Sequence, residues 1–260
     1  MRKVFRFEDN RDYWDRRWKE VGRDPHRFSD LNIYPIKFAE LVIKAPADRV
    51  LEIGAGLGRI TKHYHYAGYS ITGLENSKVA VDQLKCENPA LDVRLGDVRE
   101  MPFGDNEFDV VLAFGLFHNL EEEMDKALSE TARCLKEGGR FCITMRPDNF
   151  EMRLNEWFWW LKDGRHVKGN LKFHKWQVGD REFVQVLRRH GLVTHEVYRA
   201  RNFSLLFRVP WFRGRSADET DRRGQGYRLN GIGRILDGIL VTVFPRQFCN
   251  VLVFIGQKEM

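Results

Sequence analysis

The chain has 260 residues, is 43% hydrophobic and 31% charged, and so holds enough apolar material for one α/β domain with insertions. Its 43 basic residues exceed 37 acidic ones, for a formal charge of +6, and its four cysteines (Cys86, Cys134, Cys142 and Cys249) are scattered. That pattern argues against a disulfide framework or a metal centre, and no run of about 18 apolar residues suggests a spanning helix.

In chain order, the residues up to about Gly22 read as an amphipathic helix carrying Tyr13, Trp14 and Trp18. Leu31 to Lys44 reads as a second helix, ended by Pro46. The charged start, MRKVFRFEDNRDYWDRRW, lacks an apolar signal core, so a cytoplasmic location is expected. Strands are then expected at Val50–Ile53, Ser70–Leu74, Asp92–Leu95, Phe108–Ala113 and Arg140–Met145. Helices from about Val79 to Cys86 and from about Glu121 to Leu135 separate them. This alternation predicts a doubly wound, mostly parallel sheet with right-handed crossovers. After Pro147 an aromatic and basic segment runs from Asn155 to Trp176. A helix over Gly179–His190, a strand over Thr194–Tyr198 and a last strand over Asn250–Ile255 resume the α/β pattern. A second irregular segment, from about Phe203 to Arg246, lies between the last two strands. These two segments read as lid insertions. The expected organisation is N-terminal helices over 1–46, a binding core over 47–147, and insertions with closing strands of the same domain over 148–260.

The stretch RVLEIGAGLGRIT, Arg49 to Thr61, sets three glycines, Gly54, Gly56 and Gly58, at the end of a buried strand. Glycine admits positive φ and lets a ligand approach the backbone, so strand, loop and helix together form a ligand-binding turn. The spacing is not that of a dinucleotide site, which needs a glycine where Arg59 stands. Glu52, just before the loop, would repel a pyrophosphate and attract a cation or an amine. Three further strand ends face the same place: Glu75 with Asn76, Asp97 with Val98, and Phe114 with Gly115 and His118. Each acid alone reads as a cap; in register around one glycine loop they read as a site.

VLEIGAGLGRIT, GLENS, GDVREMPFGDNEFDVVLAFGLFHNL and LKEGGRFCIT, in that order, resemble the motifs of class I S-adenosylmethionine-dependent methyltransferases, of the small-molecule, type 11-like kind. The resemblance is strong over about Arg49 to Met145. It implies a Rossmann-like, seven-stranded sheet with a reversed last strand, Asn250–Ile255. It implies S-adenosylmethionine as cofactor, with Gly54, Gly56 and Gly58 passing under it and Glu75, beside Asn76, taking the ribose hydroxyls. Asp97 would receive the adenine amino group and the Val98 amide a ring nitrogen. Glu52 would help hold the loop and the methionyl amino group, with Phe114 and Gly115 near the methionyl end. His118 is the candidate base or substrate-orienting residue. Tyr13, Trp14 and Tyr34 are expected to close over the cofactor.

AFGLFHNL stands where base- and glutamine-methylating branches carry an Asn/Asp-Pro-Pro-Tyr/Phe motif. That leans the acceptor toward a small or lipid-like molecule, with Trp157, Phe158, Trp159, Trp160 and Trp176 available to line an apolar pocket. Between Arg199 and Arg234 nine arginines stand against three acids. This basic block suggests an acceptor with an anionic group, or a peripheral contact with an anionic membrane through 199–246. Ile232, Ile235, Leu236, Ile239, Leu240, Val243 and Phe244 form a helical stripe, expected to pack on the body or to lie on a membrane surface. A nucleic-acid methyltransferase docking through the basic insertion is the weaker alternative, as is a module that binds the cofactor without catalysis.

Overall fold

The computed structural model describes residues 1–6, 13, 14, 16, 18, 19, 34–162, 170–201, 205–214 and 229–259. The elements are β1 (Arg2–Arg6), α1 (Ile36–Ala39), β2 (Val50–Ile53), α2 (Arg59–Tyr66), β3 (Ile71–Glu75), α3 (Lys78–Glu87), β4 (Val93–Leu95) and β5 (Phe108–Ala113). They continue with α4 (Met124–Cys134), β6 (Leu135–Met145), α5 (Phe150–Lys162), β7 (Lys172–Gln177), α6 (Asp180–Arg189), β8 (Leu192–Ala200), α7 (Gly231–Val243) and β9 (Val251–Lys258).

The main sheet has seven strands in the order β4-β3-β2-β5-β6-β9-β8. β2 pairs in parallel with β3 on one side and β5 on the other, so the strand order reverses there. β9 runs antiparallel to both β6 and β8, which makes it the reversed strand the resemblance implies. The run Phe108–Ala113 is central, with Val110 to Ala113 fully buried, because both faces carry helices. On one face Phe108, Phe141 and Phe254 pack with α4 and α6 through Leu128, Phe183 and Leu187. On the other, Val50, Val110 and Val253 meet Ile60 and Tyr64 of α2 and Ile36 and Phe38 of α1. Each such fully buried aliphatic or aromatic side chain contributes about 1.5–3 kcal/mol. β9 passes closest to its neighbour at Gly256, where a Cβ would stand 1.9 Å from the Val193 carbonyl oxygen.

Two features of the N-terminal region differ from the sequence reading. Arg2–Arg6 is not the start of a helix but a strand, and it pairs antiparallel with β7 in a separate two-stranded sheet. RKVFR alternates, with Val4 turned inward, which is the two-residue period of a half-buried strand. Residues 13, 14, 16, 18 and 19 are helical as expected. The second helix is short, Ile36–Ala39, followed by turns rather than helix up to Lys44. Positions 7–12, 15, 17 and 20–22 of the first expected helix and 31–33 of the second lie outside the described residues.

The first insertion carries more regular structure than expected, α5 and β7, and the second carries α7 where the helical stripe placed a helix. Their middles, 163–169, 202–204 and 215–228, lie outside the described residues. Both insertions spring from one edge of the sheet. β6 ends there at Met145, and Met145 pairs with Leu252 near the start of the reversed β9. Val251 pairs in turn with Ala200, the end of β8. The same edge holds the C-terminal ends of β2, β3, β4 and β5.

Candidate functional site

The glycine loop begins where β2 ends. The Gly54 and Ala55 amides both bond to the Leu74 carbonyl, at 2.8 and 3.1 Å, which ties the loop to β3. Gly54, Gly56 and Gly58 all have positive φ, at 74°, 55° and 68°. All three also have close neighbours, and a Cβ on Gly54 would stand 3.2 Å from Leu116. A Cβ on Gly56 would stand 3.0 Å from the Trp18 ring, so the N-terminal aromatics lie over the loop. A Cβ on Gly58 would stand 2.8 Å from Leu84 of α3. Gly58 is the N-cap of α2, and its role is helix entry and packing.

The four acids do different work. Glu75 bridges two segments: Oε2 accepts from the Gly56 amide at 2.8 Å and Oε1 from the Ser77 amide at 2.9 Å. Its carboxylate therefore faces the loop at the end of β3. Glu52 is buried behind the loop, where Oε2 accepts from the Thr61 amide at 2.9 Å and the Thr61 hydroxyl at 2.5 Å. It fixes the first turn of α2, and burial raises its carboxyl to about 7. Asp97 is paired with Arg99, at 2.6 Å from Nη2 and 2.9 Å from Nε, and accepts the Arg99 amide as well. That pairing holds its carboxyl below the usual carboxylate range. The fourth acid, Glu156, lies on α5.

Gly54, Glu75, Asn76, Asp97 and Val98 line one open cleft, with Leu116 and Leu120 also among its walls. Glu52 and Gly58 are not among its walls, and Gly56 reaches it through Glu75. Phe114, Gly115 and His118 lie beyond Leu116 at the end of β5. There Gly115, with φ 79°, donates its amide to the Thr144 hydroxyl at 2.9 Å, and its carbonyl accepts from Asn119 Nδ2 at 2.8 Å. The Tyr34 hydroxyl donates to the same Thr144 oxygen at 3.3 Å, and its ring packs edge-on to Phe114 at 5.8 Å. Tyr13, Trp14 and Trp18 form an aromatic series, with Trp14 stacked on Trp18 at 5.1 Å.

His118 sits in the short 3-10 turn Phe117–Asn119, 6% exposed, with Nδ1 buried and without a hydrogen-bond partner among the described residues. β7 packs against that turn. This brings up a group of charges that sequence reasoning missed. Arg146 donates Nη1 to the Asn250 carbonyl at 2.9 Å. Lys175 pairs with Glu156 at 3.1 Å; Glu156 also receives Arg6, whose guanidinium lies 3.6 Å from the centre of the Trp159 ring. His174 meets Tyr13 edge-on at 6.3 Å. Burial, then Arg146, Lys175 and His174, push His118 well below the usual imidazole range. His174 is lowered to about 3, and burial lowers Lys175 to about 8 against the pull of Glu156. Arg146 and Lys175 thus face His118, and Lys175 shares Glu156 with Arg6. Nothing in the motifs marks these residues: Arg6 and Lys175 sit on paired strands far apart in the sequence, and Arg146 follows the last recognisable motif.

Of the other expected residues, Trp157 and Trp160 are exposed on α5, whereas the Trp176 ring donates Nε1 to the Leu120 carbonyl at 2.8 Å and closes the base of this region. Val98 is buried.

Residues 51–143 match the family model described as a methyltransferase domain. Among similar proteins, a demethylmenaquinone methyltransferase of Renibacterium salmoninarum is 36% identical over 112 residues, 41% of this chain and 46% of that protein. A phthiotriol/phenolphthiotriol dimycocerosates methyltransferase of Mycobacterium ulcerans is 31% identical over 143 residues, 53% of this chain and 50% of that protein. The chain thus spans about half the length of the relatives it matches. Among solved structures, a SAM-dependent methyltransferase from Archaeoglobus fulgidus superposes with a TM-score of 0.60 at 16% identity, covering 95% of this chain and all of that one. A SAM-dependent methyltransferase from Methanosarcina mazei gives 0.58 at 17% identity over 88% of this chain and 99% of that one. At these identities the two structures speak for the fold. Residues 51–143 thus match a methyltransferase domain, and the strand order 4-3-2-5-6-9-8 with the glycine loop at its reversal point is the fold that the resemblance to class I S-adenosylmethionine-dependent methyltransferases implies.

Proposed function

We propose that the protein transfers a methyl group from S-adenosylmethionine to a small-molecule or lipid-like acceptor that carries an anionic group. The observation that carries this reading is the pairing of two adjoining regions: a glycine-floored cleft faced by Glu75, and beyond it a cation-rich region around a neutral, buried His118.

The cleft suits the cofactor. Gly54 and Gly56 carry no Cβ above the loop, and the Glu75 carboxylate that holds Gly56 and Ser77 is of the kind that accepts from ribose hydroxyls. Asn76 lies at the rim, and Asp97 and the Val98 amide stand at the next strand end. Asp97 shares its oxygens with Arg99, so Arg99 fixes the orientation of the carboxylate that would meet an amino group. Glu52 supports the loop from behind through Thr61. Phe114 and Gly115, braced by Thr144 and Tyr34, are assigned to the methionyl end. The cofactor supplies a methyl group already activated on a sulfonium, so the protein's task is orientation and exclusion of water.

His118 is placed to orient the acceptor. Its neutral imidazole can hold a hydroxyl or amine through hydrogen bonds, but neighbouring cations oppose its taking a proton. An acceptor anion seated near Arg146 and Lys175 would offset those charges and make His118 a better base, so binding and proton transfer would be linked. Support for the acceptor class comes also from relatives that bear the names of a quinone-precursor and a lipid methyltransferase.

The first test is calorimetric titration with S-adenosylmethionine and S-adenosylhomocysteine, with NAD as control, on wild type and Asp97→Ala. Micromolar binding of the first two, weakened in the variant, supports the reading; folded protein that binds neither overturns it. Transfer of a labelled methyl group to anionic quinol or lipid acceptors then tests the acceptor. Cofactor binding with no acceptor turned over would favour a binding module.

A further inference from the structure

The apolar arc of α7 is wider than the surface it rests on. Gly233 is buried where its Cβ would stand 2.9 Å from the Phe212 carbonyl, and Leu236 and Leu240 are half-buried against the body. The rest of the expected stripe turns the other way. Ile232 and Ile235 are 70% and 68% exposed, Ile239 and Val243 52% and 59%, and Trp211 beside the helix start is 87% exposed. The helix therefore does not bury its stripe on the body as one reading of the sequence expected; it buries one margin of it. Phe244 extends the exposed face, with its ring 6.5 Å from Phe248, which in turn lies 5.8 Å from Phe150 of α5. A contiguous apolar face of this kind on a soluble surface marks an interaction site.

The charges around the face decide what it suits. Arg213, Arg234 and Arg246 are all exposed along it. The one acid of α7, Asp237, is turned to the body and paired with Arg201 at 3.0 Å. A second copy laid on the same face about a two-fold axis would set these arginines against each other. An anionic lipid surface offers both halves of the complement: acyl chains for the isoleucines and tryptophan, phosphates for the arginines. No helix among the described residues is long and apolar enough to cross a membrane, so the contact would lie in the plane of the interface. The face also rises from the sheet edge that carries the glycine loop.

We propose that α7, with Trp211 and the flanking arginines, docks the protein in the plane of an anionic lipid bilayer. The docking presents the sheet edge that bears the cofactor cleft to the membrane.

The test is co-sedimentation of the full chain with vesicles of phosphatidylcholine containing about a third phosphatidylglycerol, against vesicles of phosphatidylcholine alone. No cofactor or acceptor is present, so the result stands apart from the methyltransferase reading. Wild type is expected in the pellet with the anionic vesicles and to leave it as salt rises. The double variant Ile235→Glu/Ile239→Glu should bind about tenfold more weakly or worse, with an unchanged melting temperature because both positions are exposed. Arg234→Glu/Arg246→Glu should lose the preference for the anionic vesicles. Wild type that stays in the supernatant overturns the proposal, as does equal binding by the isoleucine variant. Concentration-dependent dimerisation that Ile235→Glu abolishes, without vesicle binding, would assign the face to a second copy and overturn it too.

Discussion

The Glu75 carboxylate and the Gly56 amide, on adjacent strand ends, are joined at 2.8 Å. One oxygen thus sets the loop conformation while its partner oxygen holds Ser77 at 2.9 Å, so the acid is rigid before any ligand arrives. Glu75→Ala is expected to lower S-adenosylhomocysteine affinity about 10- to 100-fold, the loss of one or two charge-assisted hydrogen bonds. Calorimetric titration checks it, with Glu75→Gln, which keeps an acceptor for Gly56, falling between. Unchanged affinity in a folded Glu75→Ala protein would remove the acid from the site.

Thr144 braces the loop after β5 from the neighbouring strand. Its hydroxyl is the acceptor of the Gly115 amide, so Thr144→Val leaves that amide without its partner at nearly constant volume. The expected cost is about 1–3 kcal/mol in urea denaturation, with methyl transfer slowed further. Tyr34→Phe removes only a longer, 3.3 Å bond to the same oxygen and should cost less than Thr144→Val. The reverse order would show that Gly115 does not depend on this brace.

Burial raises the Glu52 carboxyl from 4.5 to about 7, against the two bonds from Thr61. An acid whose pKa is raised on folding binds its proton more tightly when folded. Its contribution to stability is therefore complete below the unfolded value and is lost as pH rises through the folded one. Wild type should lose about 3 kcal/mol between pH 4.5 and 8 relative to Glu52→Gln, which keeps an oxygen for Thr61 but does not titrate. Denaturation curves across that window check it. Parallel pH profiles for the two proteins would show that Glu52 is not the group responsible.

The imidazole of His118 is held down by burial and by Arg146 and Lys175. Lys175→Met removes one of those charges and should move its titration upward. Proton resonances of the His118 ring followed against pH give the answer directly. A downward shift, or none, would mean that Lys175 does not face the ring.

The core could be read from the chain because each of its elements carries a local signal. VLEI and FDVVLA are short apolar runs bounded by turns, and the observed β2 and β5 coincide with them. Glu75 and Asp97 were legible because strand ends fix where the next residue must lie. Arg6, Arg146 and Lys175 were not, since their meeting depends on β1 crossing the molecule to pair with β7, and RKVFR does not name its partner. Trp18 was read only as part of an amphipathic helix, although Gly56 is shaped around it. For α7 the periodicity gave the helix and its apolar arc. It could not say which margin of the arc would meet the body, because Gly233 is received by Phe212, which lies well before the helix in the chain, as well as by Leu229.

Both insertions leave the sheet from one edge, while the opposite ends of the strands carry only tight connections. The molecule is therefore a fixed floor with a replaceable roof. Residues 148–171 and 201–250 can change length and composition without entering the β2–β5 pairing that seats the glycine loop. On the proposed function, acceptor preference can thus diverge between related chains that keep the same floor, and grafting a roof between two of them should carry the acceptor with it.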